Sequence, residues 1–218
     1  MKKAVVLLSG GMDSAVTLYI ARQNYECHAL IFDYGQKASY EIECARKIAE
    51  EAGCEYQVLR VSLPWKGSSL LDENMAIPGG DASGEGAIPS TYVPARNIIF
   101  LSFGLSFAES IDAEKVFIGA HELDFSNYPD CRKEFFASFR DVIRLGTKRG
   151  TEGREVGIET PVIDKTKKEI VEIGSELGVP FQYTWSCYKE GEDLCGACES
   201  CLFRAKAFKE AGLKDPLI

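Results

Sequence analysis

The sequence predicts an α/β protein with a doubly wound, mostly parallel five-stranded sheet, followed by a small cysteine-rich subdomain toward the C-terminal end. Three observations carry this expectation. Short β-branched segments that are apolar on both faces, as buried parallel strands are, recur along the chain. They alternate with segments of helical period, the pattern of right-handed βαβ crossovers. A length of 218 residues fills one such domain and leaves room for only a small appendage. Residues 1–180 are therefore expected to form the α/β domain, and residues 181–218 the cysteine-rich segment with a final helix packed on the same core.

The elements follow in order. Ala4–Leu8 is the first strand, uniformly apolar, and the helix Ser14–Gln23 follows it after SGGMDS. His28–Phe32 is the second strand and runs through IFDYGQK into the helix Ser39–Ala52, which sets Ile42, Ala45, Ile48 and Ala49 on one side. Tyr56–Val61 is the third strand. Residues 66–93 contain GGDASGEGA and show no apolar period; a loop of that length inside a compact domain acts as a lid or is disordered. The helix Asn97–Ser110 is apolar nearly all round, which predicts deep packing. Val116–Ile118 is the fourth strand, Arg132–Leu145 a helix, Val156–Glu159 a weaker fifth strand, and Thr166–Leu177 a further helix. Ligands of such sheets bind beyond the carboxyl ends of the strands, near the switch in strand order, and SGGMDS occupies that place for the first strand.

Composition narrows the class. With 45% hydrophobic and 27% charged residues the chain reads as an ordinary soluble globular protein. A net charge of −8 leaves no whole-molecule footprint for phosphate backbones, so direct nucleic-acid binding is not expected. No stretch nears the roughly 18 apolar residues of a membrane span, and Ala4–Leu8 is shorter than a signal-peptide core, so a cytoplasmic protein without membrane contact is expected. There, eight cysteines point to metal or catalysis before disulfides.

In SGGMDS, Gly10 and Gly11 allow tight or left-handed backbone, so that successive N–H groups can point into one concavity, and the helix that follows adds its positive end. An anion belongs there, usually a phosphate. The plainer alternative is a turn in which Asp13 or Ser14 caps the helix. Neither GxxxxGK[ST] nor GxGxxG occurs, so the Walker and dinucleotide loops are excluded. Near the other end, Cys187, Cys195, Cys198 and Cys201 are separated by seven, two and two residues. Four thiolates at such spacing suffice to surround one tetrahedral Zn²⁺ and leave no open position, which makes the site structural. An iron–sulfur cluster or a redox pair would draw on the same residues. Cys27, Cys44, Cys54 and Cys131 stand singly and read as ordinary thiols.

SGGMDS resembles the PP-loop of the N-type ATP pyrophosphatase superfamily, which attaches AMP to a substrate oxygen and releases pyrophosphate. TYVPARN (Thr91 to Asn97), DFSNYPDCR (Asp124 to Arg132) and CGACESC (Cys195 to Cys201), in that order, narrow the resemblance to the 7-cyano-7-deazaguanine synthase family, from Val5 to Phe208. It departs at GAHELDF, Gly119 to Phe125, and in the length of the 66–93 loop. The resemblance implies an adenine nucleotide alpha hydrolase-like fold, ATP with Mg²⁺, one structural Zn²⁺ per subunit, a homodimer, and a carbon–nitrogen ligase of queuosine biosynthesis. Such a ligase takes 7-carboxy-7-deazaguanine and ammonia to the nitrile by adenylation to an amide and a second adenylation.

Carried over residue by residue, the resemblance assigns ATP contacts to Ser9, Gly10, Gly11, Asp13 and Ser14, with Leu8 and Met12 beside them, and the adenosine half to Asp33. Asp13, Arg96 and Lys165 are the catalytic candidates. Arg96, Asn97, Asp124, Tyr128, Asp130 and Arg132 are the candidate substrate contacts, and Cys187, Cys195, Cys198 and Cys201 the zinc ligands. His121 lies in the departing stretch and stays outside the catalytic set. The alternatives are a PP-loop tRNA sulfurtransferase, which needs a low-pKa thiol by the loop and a basic groove, and a non-catalytic zinc-ribbon module, which leaves SGGMDS unexplained.

Overall fold

The computed structural model describes residues 1–79, 88–121, 128–189, 191 and 193–218. Five strands form one sheet: β1 (Lys2–Leu7), β2 (Tyr25–Asp33), β3 (Glu55–Arg60), β4 (Lys115–Ile118) and β5 (Gly157–Glu159). Their order is β3-β2-β1-β4-β5 and every pair is parallel, so the expected doubly wound α/β class holds. In β1 the side chains alternate between two cores, as strand period 2 requires. Ala4, Val6 and Leu8 enter one core, while Val5 and Leu7 enter the other.

The first core is closed by α1 (Met12–Ala21), α2 (Tyr40–Glu51) and α6 (Lys167–Glu176). α6 begins with a capping box, in which the Thr166 side chain accepts from the Glu169 amide and the Glu169 carboxylate accepts from the Thr166 amide. α7 (Glu199–Glu210) packs on α6 and contributes Ala207 and Phe208 to this same core. The second core is closed by α3 (Arg96–Ser110) and α4 (Lys133–Gly146), with Phe32 and Phe100 stacked face to face at 3.9 Å. α3 departs from its expected deep packing. It meets only one sheet face, through Phe100, Leu101, Gly104 and Leu105, and leaves Ile98 and Phe103 exposed. A short helix absent from the sequence reading, α5 (Lys148–Thr151), is started by Thr147, whose hydroxyl accepts the Gly150 amide at 2.9 Å.

The chain leaves β1 outward to β2 and β3, then returns to build β4 and β5 on the other side. The switch therefore lies between β1 and β4, and the loops after these two strands diverge there, opening a crevice. The 66–93 segment forms no helix or strand in its described parts, yet it is tied to the body. Lys37 donates from its amide to the Leu70 carbonyl at 3.0 Å and from Nζ to the Met75 carbonyl at 2.8 Å. Ser69 donates to the Ser90 carbonyl at 2.8 Å, and Gly79 pairs with Cys198 in an isolated antiparallel bridge. Most of GGDASGEGA and all of ELDFSN, including Asp124, lie outside the described residues. Among the described residues no helix is long and apolar enough to cross a membrane.

Candidate active site

A cavity of 310 Å³ occupies the β1/β4 crevice. One wall is SGGMDS. Gly10 has φ +86°, and a Cβ built on it would stand 2.3 Å from the Glu41 carbonyl oxygen, so both the backbone conformation and the approach of α2 demand glycine. The Ser9 amide donates to Ser14 Oγ at 3.1 Å, the two hydroxyls are 3.0 Å apart, and the Gly11 amide donates to Ser9 Oγ at 3.3 Å. Gly11 caps α1 without a side chain, so the first helical amides have no side-chain partner and present the helix's positive end to the cavity. Gly119, after β4, closes on this turn from the other strand: a Cβ there would meet the Ser14 nitrogen at 2.8 Å. The loop thus has the shape and polarity that suit an anion.

Asp13 stands in the first turn of α1. Its Oδ2 accepts from Lys167 Nζ at 2.7 Å, while its Oδ1 is buried without a hydrogen-bond partner. A buried carboxylate oxygen left open beside an anion seat suits a hard divalent cation such as Mg²⁺. Trp185 supplies the second orphaned polar atom of the cavity wall, Nε1, and its amide donates to the Gly10 carbonyl at 2.8 Å.

The opposite wall is the start of α3. Ala95, just before the helix, takes a left-handed conformation with φ 55°, a strained setting for a residue with a Cβ, and its amide donates to the Tyr92 hydroxyl. Arg96 then turns into the cavity and donates from Nη1 to the Tyr34 hydroxyl at 3.1 Å. Asp130 fixes this helix end: its Oδ2 accepts the Asn97 amide at 3.0 Å, and the Asn97 side chain donates back to the Asp130 carbonyl at 3.1 Å and to Cys131 Sγ at 3.2 Å. Tyr128 lines the cavity and shares a 2.6 Å hydrogen bond with Thr91. Burial pushes the Cys131 thiol up to about 11, the reverse of an activated sulfur nucleophile.

Between the walls sits Glu41, in the first turn of α2. Gln36, whose Oε1 accepts the Tyr34 amide and whose Nε2 donates to the Phe32 carbonyl, also donates to Glu41 Oε1 at 2.9 Å. Removal from water raises the Glu41 carboxyl, and Arg96 and Gln36 pull it back only in part, so it stands at about 7.

The four cysteines come together beside the cavity, with their sulfurs all within 4.8 Å of one another and Cys195 and Cys201 3.9 Å apart. Tetrahedral bonds of ~2.3 Å place ligand sulfurs about 3.8 Å apart, so the cluster fits one metal ion. α7 starts at this cluster, and its Glu199 and Ser200 line the cavity with Cys187 and Tyr188.

Of the residues singled out from sequence, Leu8, Ser9, Gly11, Met12, Asp13, Ser14, Arg96, Asn97 and Tyr128 share the cavity wall. Gly10 shapes the loop from behind. Asp33 faces a separate, more open groove of 650 Å³ and pairs with Arg60 at 3.3 Å. Asp130 is buried behind Asn97, and Arg132 is the exposed N-cap residue of α4. Lys165 does not line the cavity; its carbonyl bonds the His121 ring, while Lys167, two residues on, reaches Asp13. Tyr34, Gln36, Glu41, Lys167 and Tyr188 were not found from sequence. Only Lys167 carried a signal, as one of the lysines of KTKK.

The family model described as "Queuosine biosynthesis protein QueC" matches residues 3–212. The chain is 48% identical to a 7-cyano-7-deazaguanine synthase of Nostoc punctiforme over 99% of this chain and 99% of that protein. It is 49% identical to the one of Thermosynechococcus vestitus over 99% and 95%, and 48% identical to the one of Clostridium kluyveri over 100% and 97%. Among solved structures, NMN synthetase from Francisella tularensis superposes with a TM-score of 0.50 at 13% identity, covering 98% of this chain and 78% of that one, a likeness of fold alone.

Proposed function

This chain belongs to the QueC family of queuosine biosynthesis proteins, and from that premise we propose that it catalyses the reaction its relatives are named for, forming 7-cyano-7-deazaguanine at the expense of ATP in the β1/β4 cavity. The observation that carries the reading is the meeting, in one cavity, of the SGGMDS anion seat with Arg96 and the polar start of α3.

A carboxylate does not lose oxide to ammonia at neutral pH, so its oxygen must first become part of a leaving group. Attack of the carboxylate on the α-phosphorus of ATP forms the acyl-adenylate and releases pyrophosphate. Ammonia then displaces AMP and leaves the primary amide. A second adenylation, now of the amide oxygen, allows loss of AMP to the nitrile. Two oxygens leave, so two ATP are used.

Ser9, Ser14 and the loop amides hold the β and γ phosphates, where charge grows as pyrophosphate departs. Asp13 Oδ1 is the residue atom for Mg²⁺, which when bound would neutralise that charge. Lys167, rather than Lys165, supplies the protein's own cation there. Arg96 takes the substrate carboxylate or the α-phosphate. Asn97, with its amide donors committed to Asp130 and Cys131, offers the ring its carbonyl oxygen. Cys187, Cys195, Cys198 and Cys201 would hold a structural Zn²⁺ that stiffens the wall made by residues 181–218. A homodimer, expected from the family, is checked by light scattering.

The test is pyrophosphate release and product mass with ATP, Mg²⁺, ammonium and 7-carboxy-7-deazaguanine, beside Asp13→Ala. Nitrile with about two pyrophosphates per turnover, lost in the variant, supports the reading. Pyrophosphate release only with another acceptor, such as tRNA, refutes the substrate and retains the adenylation.

A further inference from the structure

Both chemical steps that change the carbon–nitrogen bond must shed protons, and none of the residues assigned above accepts one. Asp13 is engaged by Lys167, Asp130 is locked to the start of α3, and the hydroxyls of the loop are hydrogen-bonded to one another. Glu41 differs. Its main chain lies against Gly10 of the anion seat, its side chain lines the cavity, and its Oε1 is held by Gln36, itself pinned at the end of β2 by Tyr34 and Phe32. An oriented carboxylate backed by a fixed neutral donor is the arrangement of a base with its positioning residue.

We propose that Glu41 is the general base of this active site, taking the N–H protons released as the amide and then the nitrile form, and that Gln36 positions it. The assignment rests on the reaction proposed above. In the first step the ammonia lone pair forms the C–N bond, Glu41 takes one N–H proton, and the C–O bond to AMP breaks with its electron pair leaving on AMP. In the second, attack of the amide oxygen on ATP leaves an N-protonated adenylate that gives one N–H proton to water; from the resulting neutral adenylated amide Glu41 takes the remaining N–H proton, the N–H electron pair becomes the third C–N bond, and the C–O bond again breaks toward AMP. Between the steps Glu41 returns its proton to water. A carboxyl standing near neutrality is matched to this work at physiological pH. Arg96 from α3 is the charged group that acts on it, the Glu41 charge in turn raises the Tyr34 hydroxyl and the Cys44 thiol, and Lys37 and Asp13 lie on the same cavity wall.

Glu41→Gln preserves the size of the side chain and an acceptor for Gln36. It is expected to lower kcat for nitrile formation by 10²- to 10⁴-fold, the usual contribution of a general base, while the KM for 7-carboxy-7-deazaguanine changes by less than about threefold. Substrate-dependent exchange of labelled pyrophosphate into ATP, which reports adenylation alone and needs no base, falls far less than nitrile formation. In the unmodified enzyme kcat declines on the acid side of about pH 7; that limb vanishes in Glu41→Gln. In Gln36→Leu it moves to higher pH, because the Gln36 donor holds the carboxyl down. A folded Glu41→Gln enzyme with kcat within about threefold of the parent and the same acid limb overturns the assignment, as does equal loss of exchange and nitrile formation. An unmodified enzyme that shows neither substrate-dependent exchange nor nitrile refutes the reaction itself, and the base assignment falls with it.

Discussion

Arg204 is fully buried and makes five hydrogen bonds at once. It pairs with both oxygens of Asp215 at 2.7 and 2.8 Å and donates to the Thr184 hydroxyl at 2.7 Å and to the Thr184 and Phe181 carbonyls at 3.2 Å. It thereby fastens α7 and the chain end to the segment whose next residue, Trp185, bonds the Gly10 carbonyl. Replacing it by methionine keeps the bulk and removes the charge. Asp215 is then left buried with one described donor, the Leu217 amide, and the Thr184 carbonyl loses its described donor, while the Phe181 carbonyl keeps the Thr184 amide and hydroxyl. Breaking a buried pair from one side costs about 3–5 kcal/mol. At about 2–4 °C per kcal/mol for a chain of this size, the thermal midpoint of Arg204→Met should fall by about 6–20 °C. The comparison that isolates the cause is Arg204→Met with Asp215→Leu, which removes both charges and should recover most of the loss, since an apolar replacement of a whole buried pair is often neutral. Midpoints are read by scanning calorimetry of metal-loaded protein. A single variant within about 1 °C of the parent, or a double variant no more stable than the single, would refute the claim that an unpaired buried charge sets the cost.

Three more outcomes are expected. Gly10→Ala imposes a left-handed backbone, about 1–2 kcal/mol, besides the 2.3 Å encounter with α2; ATP binding by titration calorimetry should weaken by at least tenfold, and unchanged affinity would dismiss the shaped-loop argument. Stripping the metal with a strong chelator should lower the thermal midpoint and raise the KM for ATP together, because the cysteine cluster and cavity wall share Cys187 and the start of α7; elemental analysis should give one zinc per chain before treatment. The raised Glu41 carboxyl binds its proton more tightly in the folded than in the unfolded chain, so its contribution to stability is whole below about pH 4.5, declines as pH rises, and is gone above about pH 7; urea midpoints of Glu41→Gln should lack that decline.

The strands and most helices were legible because parallel strands buried on both faces read as unbroken apolar runs, and amphipathic helices keep their period. The anion seat was legible because its geometry is local: two glycines and two hydroxyls within six residues. What was not legible depends on distance or on side-chain direction. Asp130 looked like a pocket carboxylate, but its partner is an amide 33 positions away. At the end of β2, one residue decides the face: Phe32 and Tyr34 turn to the α3 side, while Asp33 turns away to Arg60. In KTKK, the choice between Lys165 and Lys167 depends on an aspartate 154 positions earlier. The burial of Arg204 leaves no mark in sequence, since its carboxylate lies 11 residues on in the tail.

The cavity has an order of manufacture. The last residue of its loop sequence is translated at position 14, but Trp185, which bonds the Gly10 carbonyl, is 171 positions later, and α7 later still. At 5–20 residues per second that interval is roughly 10–35 s. Throughout it the nascent chain carries the loop sequence without the wall that closes the cavity over it. The cavity wall is therefore whole only in a chain translated through its cysteine cluster, since Trp185, Cys187, Tyr188 and the start of α7 line it.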